Sequence, residues 1–213
     1  MKIHNIVAIM PIKMENERLP GKNTMLLGGM PLLQHTLKNL KQIECIERVF
    51  VFCSQEEIIK YLPEGVEFLR RPEYLDLPQS NFNQIFDEVM KQIDAETYIY
   101  AHATAPFVTV ETMRECLGAV LSGKYDSAFC ATKIQDFLWK DNKPLNFDAE
   151  NIPRSQDIEP IYRETSGVYV FRKSVYEKYH RRIGVTPFIK EVSYKEAVDI
   201  NTREDFELAE KLL

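Results

Sequence analysis

No pair of the four cysteines falls into a CxxC spacing, and Cys45, Cys53, Cys116 and Cys130 each stand beside apolar neighbours. That pattern excludes a disulfide scaffold or a thiolate metal cage and reads as free, buried thiols in a reducing compartment. No apolar run approaches the roughly 18 residues of a membrane-spanning helix. The opening residues, Met1 to Pro11, carry only a short apolar stretch interrupted by His4 and Asn5, with no small-residue cleavage site, so they read as a first strand and not as a signal peptide. A cytoplasmic protein is expected. An excess of positive charge is missing too. Lys and Arg number 27 against 32 Asp and Glu, a net charge of −5, which disfavours a surface that binds nucleic acid or anionic membranes as a whole. Any anion site must therefore be built locally. Repeats and low-complexity tracts are absent.

What is present is an ordinary globular composition, 45% hydrophobic and 28% charged over 213 residues, enough for one α/β domain with an appended lobe. Ile6 to Met10, Val49 to Cys53, Tyr98 to Ala101, Ser127 to Ala131 and Gly167 to Phe171 are continuous apolar runs of strand length, as strands buried on both faces require. Ala197 to Ile200 gives the same signal. Between them, Leu33, Leu37 and Leu40 mark a helix over Pro31 to about Gln42. Gln55 to Tyr61 gives a short helix. Phe82, Phe86, Val89 and Ile93 mark another, capped by Ser80 or Asn81, and Thr109 opens a third with Met113, Cys116, Leu117 and Val120 inward. A last helix starts at Thr202 with Asp205 in capping-box position. Strands alternating with helices predict a doubly wound, mainly parallel sheet of Rossmann-like type. The polar stretch from Asp136 to Pro160, rich in Asn and Asp, reads as an excursion, so residues 1–213 are expected to form a single domain with an inserted lobe at about 136–166.

In such a fold, ligands sit where loops leave the carboxyl ends of the strands. This selects four stretches, Pro11 to Asn23, Arg70 to Asn83, His102 to Phe107, and Asp199 to Asn201. The first holds Lys13, Arg18 and Lys22 around a Pro and a Gly, a set able to wrap a polyphosphate, although neither GxxxxGK[ST] nor GxGxxG spacing is present. The alternative is a solvated loop in which Glu15 and Glu17 pair with the cations. Asp199 stands at a strand end just before a helix, where an Asp commonly caps or turns the chain.

The string Arg18-Leu19-Pro20-Gly21-Lys22-Asn23 after a first strand resembles the signature of the acylneuraminate cytidylyltransferases, which make CMP-activated sialic and related ulosonic acids. Arg71-Pro72, Ala103-Thr104-Ala105-Pro106, the RxQ-like Arg154 and Gln156, Tyr162-Arg163-Glu164 with Gly167 and Tyr169, and Val198-Asp199-Ile200-Asn201-Thr202 before Glu204-Asp205-Phe206 follow in the family's order. The resemblance runs from about residue 6 to the end. It implies transfer of a cytidylyl group from CTP to the anomeric hydroxyl of an acidic sugar, with magnesium and a homodimer formed through the inserted lobe, in surface polysaccharide or glycoconjugate synthesis. Carried over residue by residue, Lys13 and Lys22 hold the phosphates with Pro11 and Arg18 in the same loop, and Asn23 makes polar contacts to the nucleotide. Arg71 and Ser80 line the cytidine pocket, Asp199 and Asn201 face the metal, and Lys13, Lys22 and Asp199 carry the catalysis. His102, Thr104, Arg154, Gln156 and Arg163 face the sugar, an arginine fork being suited to its carboxylate.

The chain departs from the family pattern at Lys13, where an arginine is typical, and at Met14-Glu15-Asn16-Glu17, where small residues are. His102 replaces a glutamine, Asn201 the second Asp of the C-terminal element, and Thr165-Ser166-Gly167 an Asn-Gly pair. His102 reads either as a substrate contact or as a strand-end residue bonded to backbone, and Arg163 either as a carboxylate anchor or as a partner of Glu159 or Glu164. A nucleotidyltransferase for another nucleotide or a sugar 1-phosphate, and a family member that binds without turnover, remain the alternative functions.

Overall fold

The computed structural model describes residues 5–213; the expectation for the first four residues lies outside it. A seven-stranded sheet is built from β1 (Ile6–Ile12), β2 (Arg48–Cys53), β3 (Val66–Arg70), β4 (Thr97–Ala101), β5 (Ser127–Ile134), β6 (Ile161–Arg172) and β7 (Pro187–Glu191). Its order is β7-β5-β6-β4-β1-β2-β3. All pairings are parallel except those of β6, which runs antiparallel to both β4 and β5. The expected mainly parallel, doubly wound sheet is therefore present, with one reversed strand inserted next to its centre.

The strand runs look uniformly apolar because both faces are covered. Ala8 and Met10 face one side, packed with Leu33, Leu37 and Leu40 of α1 (Leu32–Lys41) and Met113, Leu117 and Val120 of α3 (Val110–Leu121). Val7 and Ile9 face the other, with Phe86 and Val89 of α2 (Phe82–Gln92) and Tyr176 of α4 (Lys173–Tyr179). A third cluster joins Leu19, Leu27, Leu32 and Ile200 to Phe206 and Ala209 of α5 (Arg203–Leu212), which closes the end of the sheet beside the first loop. Asn81, not Ser80, caps α2, its side chain and that of Gln84 bonding each other's backbone N–H.

Several expectations are corrected. Pro11 does not end β1, which continues to Ile12; beyond the Ile9–Tyr100 pair only β2 still pairs with it, so a missing donor costs little there. Ala197 to Ile200 is not a strand. The Ala197 and Val198 amides close local turns on Ser193 and Lys195, and the Ile200 amide donates to the Thr104 carbonyl at 2.8 Å, in the loop after β4. Burial of Ile200 beside α5, not sheet pairing, accounts for the apolar run. Gln55 to Tyr61 forms a 3-10 helix over Glu56–Tyr61. Cys45 is exposed between α1 and β2, whereas Cys53, Cys116 and Cys130 are buried free thiols as expected.

The excursion after β5 carries a hairpin of Trp139–Lys140 against Lys143–Pro144, whose turn residues Asp141 and Asn142 take positive φ. Phe147 packs edge-on to both Phe137 and Trp139. The chain rejoins the sheet at Ile161, inside the segment expected as the lobe. Among the described residues no helix is long and apolar enough to cross a membrane.

Candidate active site

The carboxyl ends of β1, β3 and β4 open onto a cavity of about 480 Å³, inside the roughly 300–1,000 Å³ range of small-molecule sites. The first loop forms one wall. Gly21 holds φ 68, a left-handed conformation that costs a side-chain-bearing residue about 1 kcal/mol, and it turns the chain into the single 3-10 turn Lys22–Thr24. That turn aims Lys22 inward. Asn23 and Asn16 brace the loop, each donating to the Lys13 carbonyl at 2.9 Å. Lys13 and Pro11 complete this wall.

Opposite lies the segment before α5. Lys22, only 8% exposed, donates to the Ile200 carbonyl at 2.8 Å and to Asn201 Oδ1 at 3.3 Å. Arg18 donates to the same Oδ1 at 2.8 Å, so these loop cations turn to Asn201 and not to Glu15 or Glu17. Asn201 Nδ2 in turn donates to Asp199 Oδ2 at 2.7 Å. Burial depresses the Lys22 pKa, and the neighbouring Asp199 carboxylate opposes that shift. A desolvated ammonium in such a place gains most when anionic phosphate arrives. Asp199 is not the helix cap, since Thr202 and Asp205 form that capping box and Asp205 also accepts the Asn201 amide at 2.9 Å.

Among the described residues, no cluster of three or more His, Cys, Asp or Glu could hold a metal unaided. Asp199 Oδ1 is shielded and has no hydrogen-bond partner, while the Asn201 oxygen is engaged by two cations. One vacant carboxylate oxygen beside a phosphate-sized cationic wall fits a magnesium ion that takes its remaining ligands from water and substrate.

The far wall comes from the segment after β3. Arg71 is 3% exposed, its amide bonded to the Cys53 carbonyl and its guanidinium paired with Asp76, with Nε left unpartnered. Ser80 lines the cavity beside Leu75, Leu77 and Pro78, a suitable apolar slot for a flat ring. At the floor, His102 donates its amide to the Gly167 carbonyl at 3.2 Å, but its Nε2 is shielded without a partner. Burial, then the nearby Arg182 charge, lowers the His102 pKa to about 4, so the ring is neutral at physiological pH. The expected strand-end backbone bond of His102 is present, and the residue also lines the cavity. Thr104 borders the floor, its carbonyl taken by Ile200.

Three expected substrate residues do not line this cavity. Arg154 is exposed and forked onto Asp157 at 2.7 and 3.1 Å, and Gln156 is exposed with its carbonyl accepting from Gln135. Arg163, exposed, pairs in register with Thr132, whose parity on β5 matches Ala128 and Cys130 on the α3 face. Tyr100 and Ser166 do line the cavity and were not singled out from sequence. Tyr100 was legible in principle, two residues before His102 on the same face of β4; Ser166 was hidden because its place depends on an irregularity between Glu164 and Tyr169 in the β6 register.

Residues 7–213 match the model of the family described as Cytidylyltransferase. The CMP-N,N'-diacetyllegionaminic acid synthase of Legionella pneumophila is 26% identical over 98% of this chain and 96% of its own length. The N-acylneuraminate cytidylyltransferase A of Danio rerio is 24% identical over 99% of this chain, which spans only about half, 51%, of that relative. In fold, a CMP:2-keto-3-deoxy-manno-octonic acid synthetase solved with CTP superposes with a TM-score of 0.72 at 17% identity over 98% of both chains. A 4-diphosphocytidyl-2C-methyl-D-erythritol synthase from Anaerococcus prevotii gives 0.70 at 18%, covering 99% of each. A model match across nearly the whole sequence, on a chain whose first-loop cations meet its C-terminal aspartate in one cavity, shows that this chain belongs to the cytidylyltransferase family.

Proposed function

We propose that the protein transfers the cytidylyl group of CTP to the anomeric hydroxyl of an acidic, ulosonic-type sugar. The acceptor hydroxyl oxygen forms a bond to the α-phosphorus and gives up its proton to solvent water, the α–β anhydride bond breaks, and pyrophosphate leaves. The observation that carries this reading is the buried Lys22, held by Ile200 and Asn201 beside the unpartnered Asp199 oxygen. Family membership supports CTP, and the acids named for its relatives support the acceptor class.

Transfer of this kind depends on positioning and charge neutralisation. Lys13, Arg18 and Lys22 bind the phosphates, Asn23 stiffens the loop, and Arg71 and Ser80 hold the cytidine. Asp199 would hold magnesium, with Asn201 orienting that carboxylate; the ion supplies further neutralisation of the phosphates and of the departing pyrophosphate. His102, whose low pKa makes it a poor proton acceptor, orients a sugar hydroxyl through Nε2 instead of removing its proton. A reaction that draws on CTP and a free sugar suits the cytoplasm and calls for neither nucleic acid nor membrane.

The reading includes a homodimer through the 136–160 lobe, where Trp139 is 60% exposed. Arg154, Gln156 and Arg163 lie outside this chain's own cavity, so a substrate role for them requires the second copy. A pyrophosphate-release assay comparing CTP, GTP, UTP and dTTP, with ulosonic acids and with sugar phosphates as acceptors, tests the proposal. CTP with an acid is the expected pair; preference for another nucleotide or a sugar phosphate contradicts it.

A further inference from the structure

The sheet register separates two sets of charges near the sugar end of the cavity. Arg163 lies on the α3 face, opposite Thr132. Glu164 and Tyr169 pair with Ala131 and Phe129, which belong to the cluster on the α2 and α4 face. His102 stands on that second side, its ring 5.3 Å from Tyr100 and 6.2 Å from Tyr169. The cation there is Arg182, from the connection between α4 and β7.

Its guanidinium carbon lies over the Tyr169 ring, 3.6 Å from the centroid, and 5.2 Å from the Phe82 centroid. This cation–π contact holds the fork at the ring, and the side chain keeps 26% exposure. Nη2 donates to Glu164 Oε1 at 3.0 Å, and the Tyr169 hydroxyl donates to the same oxygen. The fold has thus assembled two donors that converge on a carboxylate. Glu164, 41% exposed, is the carboxylate that occupies this position. His102, whose ring lies 6.2 Å from that of Tyr169, and Ser166, between Glu164 and Tyr169 in sequence, both line the cavity, which sets the Arg182–Tyr169 pair beside its floor.

We propose that Arg182, with the Tyr169 hydroxyl, is the anchor for the carboxylate of the acceptor sugar, and that Glu164 is a resident surrogate which that carboxylate displaces. This rests on the acidic-sugar reading above. Arg182 thereby sets specificity for acids over neutral sugars, since a neutral acceptor cannot replace the Glu164 charge. The work done by Arg163 and Arg154 in the sequence reading passes, within one chain, to a residue that no motif marks.

The test uses N,N'-diacetyllegionaminic acid, pseudaminic acid and an N-acylneuraminate with CTP, and the methyl ester of whichever the wild-type protein turns over fastest. Wild type should favour the acid over its ester by about tenfold or more in kcat/KM, the scale of a charge-assisted hydrogen bond. In Arg182→Ala, KM for the acid should rise about tenfold, the acid-to-ester ratio should fall to near one, and KM for CTP should hold. Arg182→Gln, which keeps bulk over Tyr169, should behave likewise if the alanine variant melts early. Glu164→Gln should lower KM for the acid. An unchanged acid-to-ester ratio in a folded Arg182 variant overturns the anchor, and an unchanged or raised KM in Glu164→Gln overturns the displacement. Turnover of CTP by wild type with only neutral or phosphorylated acceptors overturns the acidic-sugar reading and the anchor together.

Discussion

Asn201 Nδ2 donates a 2.7 Å hydrogen bond to Asp199 Oδ2. Because the other end of the same amide accepts from Arg18 and Lys22, one neutral side chain separates the first-loop cations from the carboxylate while linking their positions. The arrangement keeps the cations from collapsing onto Asp199, whose Oδ1 stays unpartnered. An aspartate at 201 would pair directly with Arg18 and Lys22. Asn201→Asp should therefore weaken CTP binding in the absence of metal and increase its dependence on magnesium concentration. Calorimetric titration of CTP at several magnesium concentrations reads both, and identical isotherms would show that the amide is only a spacer.

Lys22→Ala should raise KM for CTP by about ten- to a hundredfold, the scale expected for losing a buried charged hydrogen-bonding group. The melting temperature should change little, because the variant also removes the desolvation cost that depresses the Lys22 pKa. Steady-state kinetics beside a thermal melt separates these effects. A large loss of stability with KM unchanged would make Lys22 a structural tie to Ile200.

Gly167 sits where the β6 irregularity passes the loop after β4, and a Cβ built there would meet Val108 Cγ2 at 2.7 Å. Gly167→Ala should cost about 1–3 kcal/mol through overpacking. It should also raise the acceptor KM, since the Gly167 carbonyl accepts from the His102 amide. Chemical denaturation gives the first quantity. Wild-type stability with wild-type kinetics would mean that this contact relaxes freely.

His102 is held near pKa 4 in the fold against about 6.5 in the unfolded chain. Between those values the unfolded state binds more protons, so stability is full above pH 6.5 and declines as the pH falls toward 4. His102→Gln, which cannot titrate, should flatten that part of the stability curve relative to wild type. In wild type, the rate should show no inflection from His102 between pH 6.5 and 8. Parallel curves for the two proteins would place the His102 pKa near its ordinary value.

Much of the site was legible because polyphosphate chemistry needs cations in a loop, and sequence shows them directly. Lys13, Arg18, Lys22 and Asp199 meet in one cavity as that reasoning requires. The turn over Ala197 to Ile200 was not legible as such, because burial against α5 writes the same apolar run as a strand. Short β7, half exposed at the sheet edge, carries too few apolar positions to announce itself. Arg163 misled because the side a β residue faces depends on pairing and on the irregularity between Glu164 and Tyr169, which no local pattern reveals. Arg182 was invisible for a related reason: it is placed by its contact with Tyr169, from a connection that carries no motif of its own.

The most direct measurement is calorimetry of CTP binding with and without magnesium, on wild type and Asp199→Ala, alongside pyrophosphate release from both. Wild type should bind CTP more tightly with magnesium, whereas Asp199→Ala should melt normally, lose that enhancement and release no pyrophosphate. Equal magnesium enhancement and near-normal turnover in Asp199→Ala, or no CTP binding by wild type at all, would contradict the cradle of first-loop cations and Asp199.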